Sequence, residues 1–251
     1  MKYCIIFWGQ NYKINNNPVD KSDRSTFSDI DFSILWNFYL KNIIKPLEEE
    51  GHKVDILFNI YKNKKTELHI DMVKPKSICY LEYNCNIKSG NWHFINTHNV
   101  RALEHVNHYQ KKNNISYDYT IVTRFDIFPY DKITDFYIPD DKVTTLFKQA
   151  DYFYIVPKIL LDDMIEMFKE NIHAKTHEYI LKLKDKNISC QKAYSRNKLK
   201  FSTNEDHTNL PPFIIFSRNI FNIKNNNYKY NDIWRVKDFD NMEDPESWRG
   251  M

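Results

Sequence analysis

The sequence predicts a single α/β domain with a mainly parallel central sheet covered by helices on both faces. Three observations predict it. Short, continuous apolar runs of strand length alternate with segments of helical period through the first half, in the order β-α-β-α-β-α-β. The first of these runs, Lys2–Trp8, is continuously apolar, as a buried strand is. The length of 251 residues, 42% of them hydrophobic, suits one domain with a sizeable core.

Lys2–Trp8 is the first such run and stops at Gly9, which marks a buried opening strand. A polar loop from Gln10 to Phe27 follows. Ser28–Glu50 reads as a long helix, with Ile30, Ile34, Leu35 and Phe38 at helical spacing. Ser28 with Asp31 resembles a capping box, and Gly51 supplies the stop. Pro46 is expected to kink its last turn or mark a restart. Lys53–Ile60 is a second strand, Thr66–Val73 a short helix closed by Pro75, and Ser77–Tyr83 a third strand. Phe94–Lys111 is a further helix and Tyr119–Thr123 a fourth strand. Beyond it, Asp151–Val156 reads as a strand, Lys158–Lys169 and His177–Lys186 as helices, and Pro211–Phe216 as a last apolar strand. The domain is expected to span residues 1–221, with a nucleotide-binding half over about 1–128 and an acceptor half over about 129–221. Residues 222–251 form a polar C-terminal extension packed on it.

Composition removes several classes. With 4 glycines and neither GxGxxG nor GxxxxGK[ST], a glycine-rich phosphate loop is excluded, so side chains, a metal or a helix end must hold any phosphate. The balance of 36 basic against 33 acidic residues, net +3, does not ask for nucleic acid. Cys4, Cys79, Cys85 and Cys190 show no zinc spacing, which fits free thiols in a reducing compartment. The opening MKYCIIFWGQ has too short an apolar run for a signal peptide, and no segment approaches the ~20 apolar residues that cross a bilayer. A cytoplasmic protein is expected, in the host cytoplasm if the chain is viral.

In open α/β sheets ligands bind outside the carboxyl ends of the parallel strands. The informative strand end is Thr123-Arg124-Phe125-Asp126, where an arginine and a carboxylate at alternate positions fall on one side of an extended chain. A carboxylate there suits a hard divalent cation bridging a diphosphate. The arginine suits phosphate, or the carboxylate itself in a bidentate pair that merely closes the strand end. Gly9 and Gln10, at the end of the first strand, are placed to lie against a nucleoside, with Trp8 or Tyr12 as a base platform or as core. Arg24 and Arg101 are candidate phosphate ligands or ordinary exposed arginines. Thr203–His207 (TNEDH) offers Glu205 and Asp206 as general bases and His207 as a second metal ligand. His105 and His108 form an i, i+3 pair without a third ligand, so zinc is not expected.

The segment Tyr117–Phe128, YDYTIVTRFDIF, resembles the signature strand of small GT-A-type glycosyltransferases found in bacterial polysaccharide loci and large DNA viruses. Gly9-Gln10, the early Arg24, GHKVDILFNIY, Lys74–Lys76 and ADYFYIVPKILLDDMIEMF follow in matching order. THEYILKLKDKNIS resembles the short helix that opens on a His/Pro-Glu pair. The resemblance spans about residues 2–217 and implies a GT-A-like domain with a Rossmann-like sheet. It implies transfer of a sugar from a nucleotide sugar, UDP-sugar foremost, to a glycan or glycoprotein acceptor. It further implies Asp126 as the ligand of Mn²⁺ or Mg²⁺, as in the last position of a DxD motif, and Glu178 as an acid facing sugar or acceptor. Alternatively, Glu178 is only a helix N-terminal acid. The chain departs from the motif in carrying Arg124 where DxD has its first Asp, so that either the metal has one protein carboxylate here or Arg124 partly replaces the metal's charge on the diphosphate. Two other readings stay open: a nucleotidyltransferase, and a glycan- or nucleotide-binding module without turnover.

Overall fold

The computed structural model describes residues 1–13, 30–81, 92–129, 132–136, 138–145, 153–170, 190–192 and 213–215. β1 (Lys2–Gly9) runs parallel to β4 (Lys53–Tyr61) on one side and to β6 (Tyr119–Arg124) on the other. β5 (Ser77–Leu81) extends the sheet parallel to β4. β9 (Phe153–Pro157) lies antiparallel to β6, and β8 (Val143–Thr145) antiparallel to β9; β10 (Cys190–Lys192) pairs parallel to β8. The order is β10-β8-β9-β6-β1-β4-β5, so β9 alone of the seven runs against the rest. Two small ribbons stand outside it. β2 (Tyr12–Lys13) pairs with β3 (Ile30–Asp31), and β7 (Ile127–Pro129) with β11 (Phe213–Ile215).

Alternation along β1 divides the core between two faces. Tyr3, Ile5 and Phe7 pack with α1 (Phe32–Tyr39), α2 (Lys45–Glu49) and Phe58, Ile121 and Phe125. Cys4, Ile6 and Trp8 pack on the other face with Val100, Ala102, Leu103 and Val106 of α4 (Trp92–Asn113) and Met164, Met167 and Phe168 of α5 (Leu161–Glu170). Cys4 is fully enclosed there, and burial pushes its thiol pKa up, which makes it a core residue. α3 (Thr66–Val73) ends on Lys74 in the left-handed conformation, one residue before Pro75.

The helix expected from Ser28 begins instead at Phe32. Asp31 is its cap: its carboxylate accepts from the Ser33 amide, and ribbon pairing with Tyr12 keeps its backbone extended. Ser28 lies outside the described residues. Pro46 does mark a restart. It has no N–H for the Asn42 carbonyl four residues back. The chain answers by widening into a π turn over Leu40–Ile44, in which the Lys45 amide reaches the Leu40 carbonyl, before α2 resumes. The ribbon strand β7, a 3-10 turn at Ile133–Asp135 and β8 had no sequence signal, being three residues each. The helix expected at His177–Lys186 and the whole 222–251 extension fall outside the described residues. No helix among the described residues is long and apolar enough to cross a membrane.

Candidate functional site

The chain winds from β1 to β4 to β5 in one direction, and α4 then carries it back to β6 on the far side of β1. That reversal makes the carboxyl ends of β1 and β6 the topological switch point of the sheet, the place where open α/β sheets bind ligands in a crevice. Trp8 and Arg124 are register partners across it. Sequence pattern placed both residues at strand ends; only the strand order brings them together.

The strand does not continue straight to Asp126. The chain turns at Phe125 and Asp126, so the Arg124 and Asp126 side chains meet through that turn and not through strand alternation. Arg124 Nε donates to Asp126 Oδ1 at 2.8 Å, and Nη2 donates to Oδ2, which makes a two-point fork. The Asp126 side chain is 5% exposed and that of Arg124 22%, so the arginine is the member that meets solvent. Between them Phe125 is fully buried, with its ring 4.9 to 5.4 Å from those of Phe32, Phe58 and Phe7. Beneath the fork, Tyr39 shares a hydrogen bond of 3.1 Å with Thr123 Oγ1. Burial pushes the Tyr39 phenol far above its usual range; the Thr123 bond opposes this and the Asp126 charge adds to it.

Trp8 is core and not a base platform. It is 3% exposed, with His98 stacked on its ring at 5.4 Å and the Arg124 guanidinium 5.9 Å from its centre. His98 Nε2 shares a 2.8 Å hydrogen bond with Tyr61 Oη. Burial first, and the charge of Arg101 one turn further along α4 second, lower the pKa of His98 to about 4. Arg101 itself is exposed. Below this stack, His105 Nδ1 bonds Asn59 Oδ1 at 2.6 Å, and its Nε2 bonds Ser77 Oγ at 2.8 Å. Burial, then the neighbouring His108, lower its pKa also to about 4. Trp8 Nε1, Asn59 Nδ2 and both polar atoms of the Asn99 amide are buried without a hydrogen-bond partner among the described residues.

Gly9 ends β1 with φ +103°, a left-handed conformation that favours glycine although no atom stands within 4 Å of a would-be Cβ. Gln10 is exposed beside it. The next residue, Asn11, is fully buried in a network the sequence did not announce. Its Nδ2 meets His69 Nδ1 and its Oδ1 accepts from Asn63 Nδ2, both at 2.5 Å. His69 Nε2 stands 3.2 Å from Asp31 Oδ1, and Lys65 closes an ion pair on Asp31 Oδ2. Tyr12 lies under the ammonium groups of Lys64 and Lys65, at 5.2 and 4.8 Å. The network fixes the exit of β1 against α1 and α3. Its one sequence trace is a histidine and two asparagines beside apolar runs, a weak signal.

Arg24, Glu178, Glu205, Asp206 and His207 lie outside the described residues. Among the described residues no three His, Cys, Asp or Glu side chains gather as a metal cage. Of the expected metal ligands only Asp126 is among the described residues, and both of its oxygens are engaged by Arg124.

No protein-family model matches the chain, and no curated protein matches it in sequence. Among solved structures it is similar to a glycosyltransferase involved in the glycosylation of the major capsid of PBCV-1, with a TM-score of 0.38 and 10% identity, covering 76% of this chain and 80% of that one. It is also similar to the catalytic domain of Drosophila beta1,4-galactosyltransferase 7, solved in complex with xylobiose. There the TM-score is 0.35 and the identity 12%, over 76% of this chain and 64% of that one. At these values neither likeness assigns the chain a fold family or an activity.

Proposed function

We propose that this chain is a glycosyltransferase that moves a sugar from a nucleotide-sugar donor to a glycan or other hydroxyl acceptor, assisted by a divalent metal. The observation that carries the reading is the Arg124–Asp126 fork at the carboxyl ends of β1 and β6, with Arg124 the more exposed partner. In this reading Arg124 exchanges Asp126 for the donor diphosphate, and the exchange frees Asp126 to act as a metal ligand. Mn²⁺ or Mg²⁺ held there would supply positive charge that neutralises the nucleoside diphosphate as it leaves. Gly9 and Gln10 line the nucleoside side, with Arg101 and Arg24 as further phosphate ligands. Glu205 or Asp206 takes the proton of the acceptor hydroxyl if the transfer inverts the anomeric centre, Glu178 faces sugar or acceptor, and His207 serves as a second metal ligand. UDP is the first nucleotide to try.

The test is thermal melting with nucleoside diphosphates and nucleotide sugars, each with and without Mn²⁺. A rise that needs both ligand and metal and disappears in Asp126→Ala, with far-UV circular dichroism unchanged, is expected. No shift with any pair sinks the reading.

A second reading, a nucleotide- or glycan-binding module without turnover, is favoured by one observation: both oxygens of Asp126 are already engaged by Arg124. Release of nucleoside diphosphate from a nucleotide sugar without acceptor would exclude it.

A further inference from the structure

On the α1 side of the sheet, the widened π turn and the start of α2 form one wall of a concave pocket of about 310 Å³. Lys132, at the entrance to the 3-10 turn, closes the other side. We propose that this pocket binds a tetrahedral oxyanion, phosphate or sulfate, borne on a small molecule.

Lys41, Lys45 and Lys132 line the pocket, each exposed, and none forms an ion pair among the described residues. Glu49 is the one acid in the lining, and it pairs with none of the three. Lys41 and Lys45 stand one turn apart, an arrangement in which like charges repel. Lys132 adds a third positive charge from another element. An anion between them turns that repulsion into charge-assisted hydrogen bonds. The exposed Asn37 amide adds a neutral donor, and Leu40 and Pro46 give the site an apolar wall for whatever carries the anion. The volume lies at the low end for small-molecule sites.

The wall is held in place. The buried Asn42 on the π turn donates its Nδ2 to the Pro129 carbonyl of β7 at 2.8 Å, which ties the lysine-bearing segment to the ribbon. Widened turns of this kind recur at functional sites. Here the widening has its own cause in Pro46, and it sets Lys41 and Lys45 on one concave surface. None of Trp8, Arg124 and Asp126 lines the pocket, so the inference holds whether or not the chain transfers sugars.

Lysine acetylation read by mass spectrometry tests this on the full chain, with inorganic phosphate, inorganic sulfate and glucose 1-phosphate as separate probes at constant ionic strength. Expected is saturable protection of Lys41, Lys45 and Lys132, with Lys53 and Lys76 unprotected. The tightest probe identifies the form in which the anion arrives. Affinity should fall about tenfold or more in Lys45→Gln/Lys132→Gln and stay unchanged in Arg124→Gln, both variants checked for folding by circular dichroism. Even protection of all exposed lysines, unaltered affinity in the double variant, or loss of protection in Arg124→Gln would each overturn the proposal. The last would place the anion in the β1–β6 crevice.

Discussion

Acid should weaken this fold well before its carboxylates titrate, because α4 buries two histidines in their neutral form. His98 and His105 both have pKa values lowered to about 4, chiefly by burial. In the unfolded chain each takes up its proton near ~6.5. Between those values the unfolded state binds more protons than the native state, so stability falls as pH falls, and only in that window. A gap of about 2.5 pH units at about 1.36 kcal/mol per unit gives about 3 kcal/mol for His98, of which about 2.5 kcal/mol is already lost by pH 4.5. His105 is more exposed and should add less. Against a total of roughly 5–15 kcal/mol, that is a large share. Urea melts of the wild type and of His98→Gln at pH 7.0, 6.0, 5.0 and 4.5 measure it. The wild type should lose about 2.5 kcal/mol more than the variant over this range, and the His98 ring resonance should hold its neutral shift down to pH 5. Parallel pH slopes for the two proteins would refute the assignment of a neutral buried imidazole.

Three further outcomes are expected. Asn99 is fully buried with both ends of its amide unpartnered among the described residues, so Asn99→Leu should stabilise the protein by about 1–2 kcal/mol in urea melts; a loss instead would reveal a partner, water or ligand, for that amide. Asn42→Ala removes the donor to the Pro129 carbonyl and should cost about 1–3 kcal/mol, measured the same way at pH 7. Asp31→Ala removes the cap of α1 and the partner of Lys65 and His69, and should cost about 2 kcal/mol at neutral pH. Burial raises the pKa of Asp31, but its bonds to His69, Lys65 and Ser33 outweigh that and hold it below the usual carboxylate range. Its contribution is therefore full above about pH 4 and lost below, so the variant and wild type should converge in stability only in strong acid.

The parallel sheet was legible because β1, β4 and β6 are strand-length runs rich in apolar residues, separated by helical segments; Gly9 and Arg124 mark two of their ends. The start of α1 was not. Helical spacing runs back to Ile30, yet backbone pairing with Tyr12 and Lys13 holds Ile30 and Asp31 extended, and a long-range pairing leaves no local trace. Arg124 and Asp126 were found from their place at a strand end, whereas their mutual fork depends on a turn that two-residue alternation does not foresee. The Trp8–His98–Tyr61 stack joins β1, α4 and β4, and no spacing rule connects residues on three elements. Asn99, a polar side chain in phase with Ile95, Leu103 and Val106 on the buried face of α4, was the visible hint that polar groups lie under that helix.

Phe125 has a dynamic consequence. The residue between the arginine and the carboxylate is wedged among three core rings, so the fork cannot shift as an independent loop. Amide hydrogens of Val122 and Thr123, which lead into the fork, should exchange only through global opening, in step with those of Ile5 and Ile121, whereas a surface binding loop would exchange early. Ligand capture here then involves rearranged side chains on a still backbone, and a core substitution such as Phe125→Leu should loosen the crevice without touching any group that faces it.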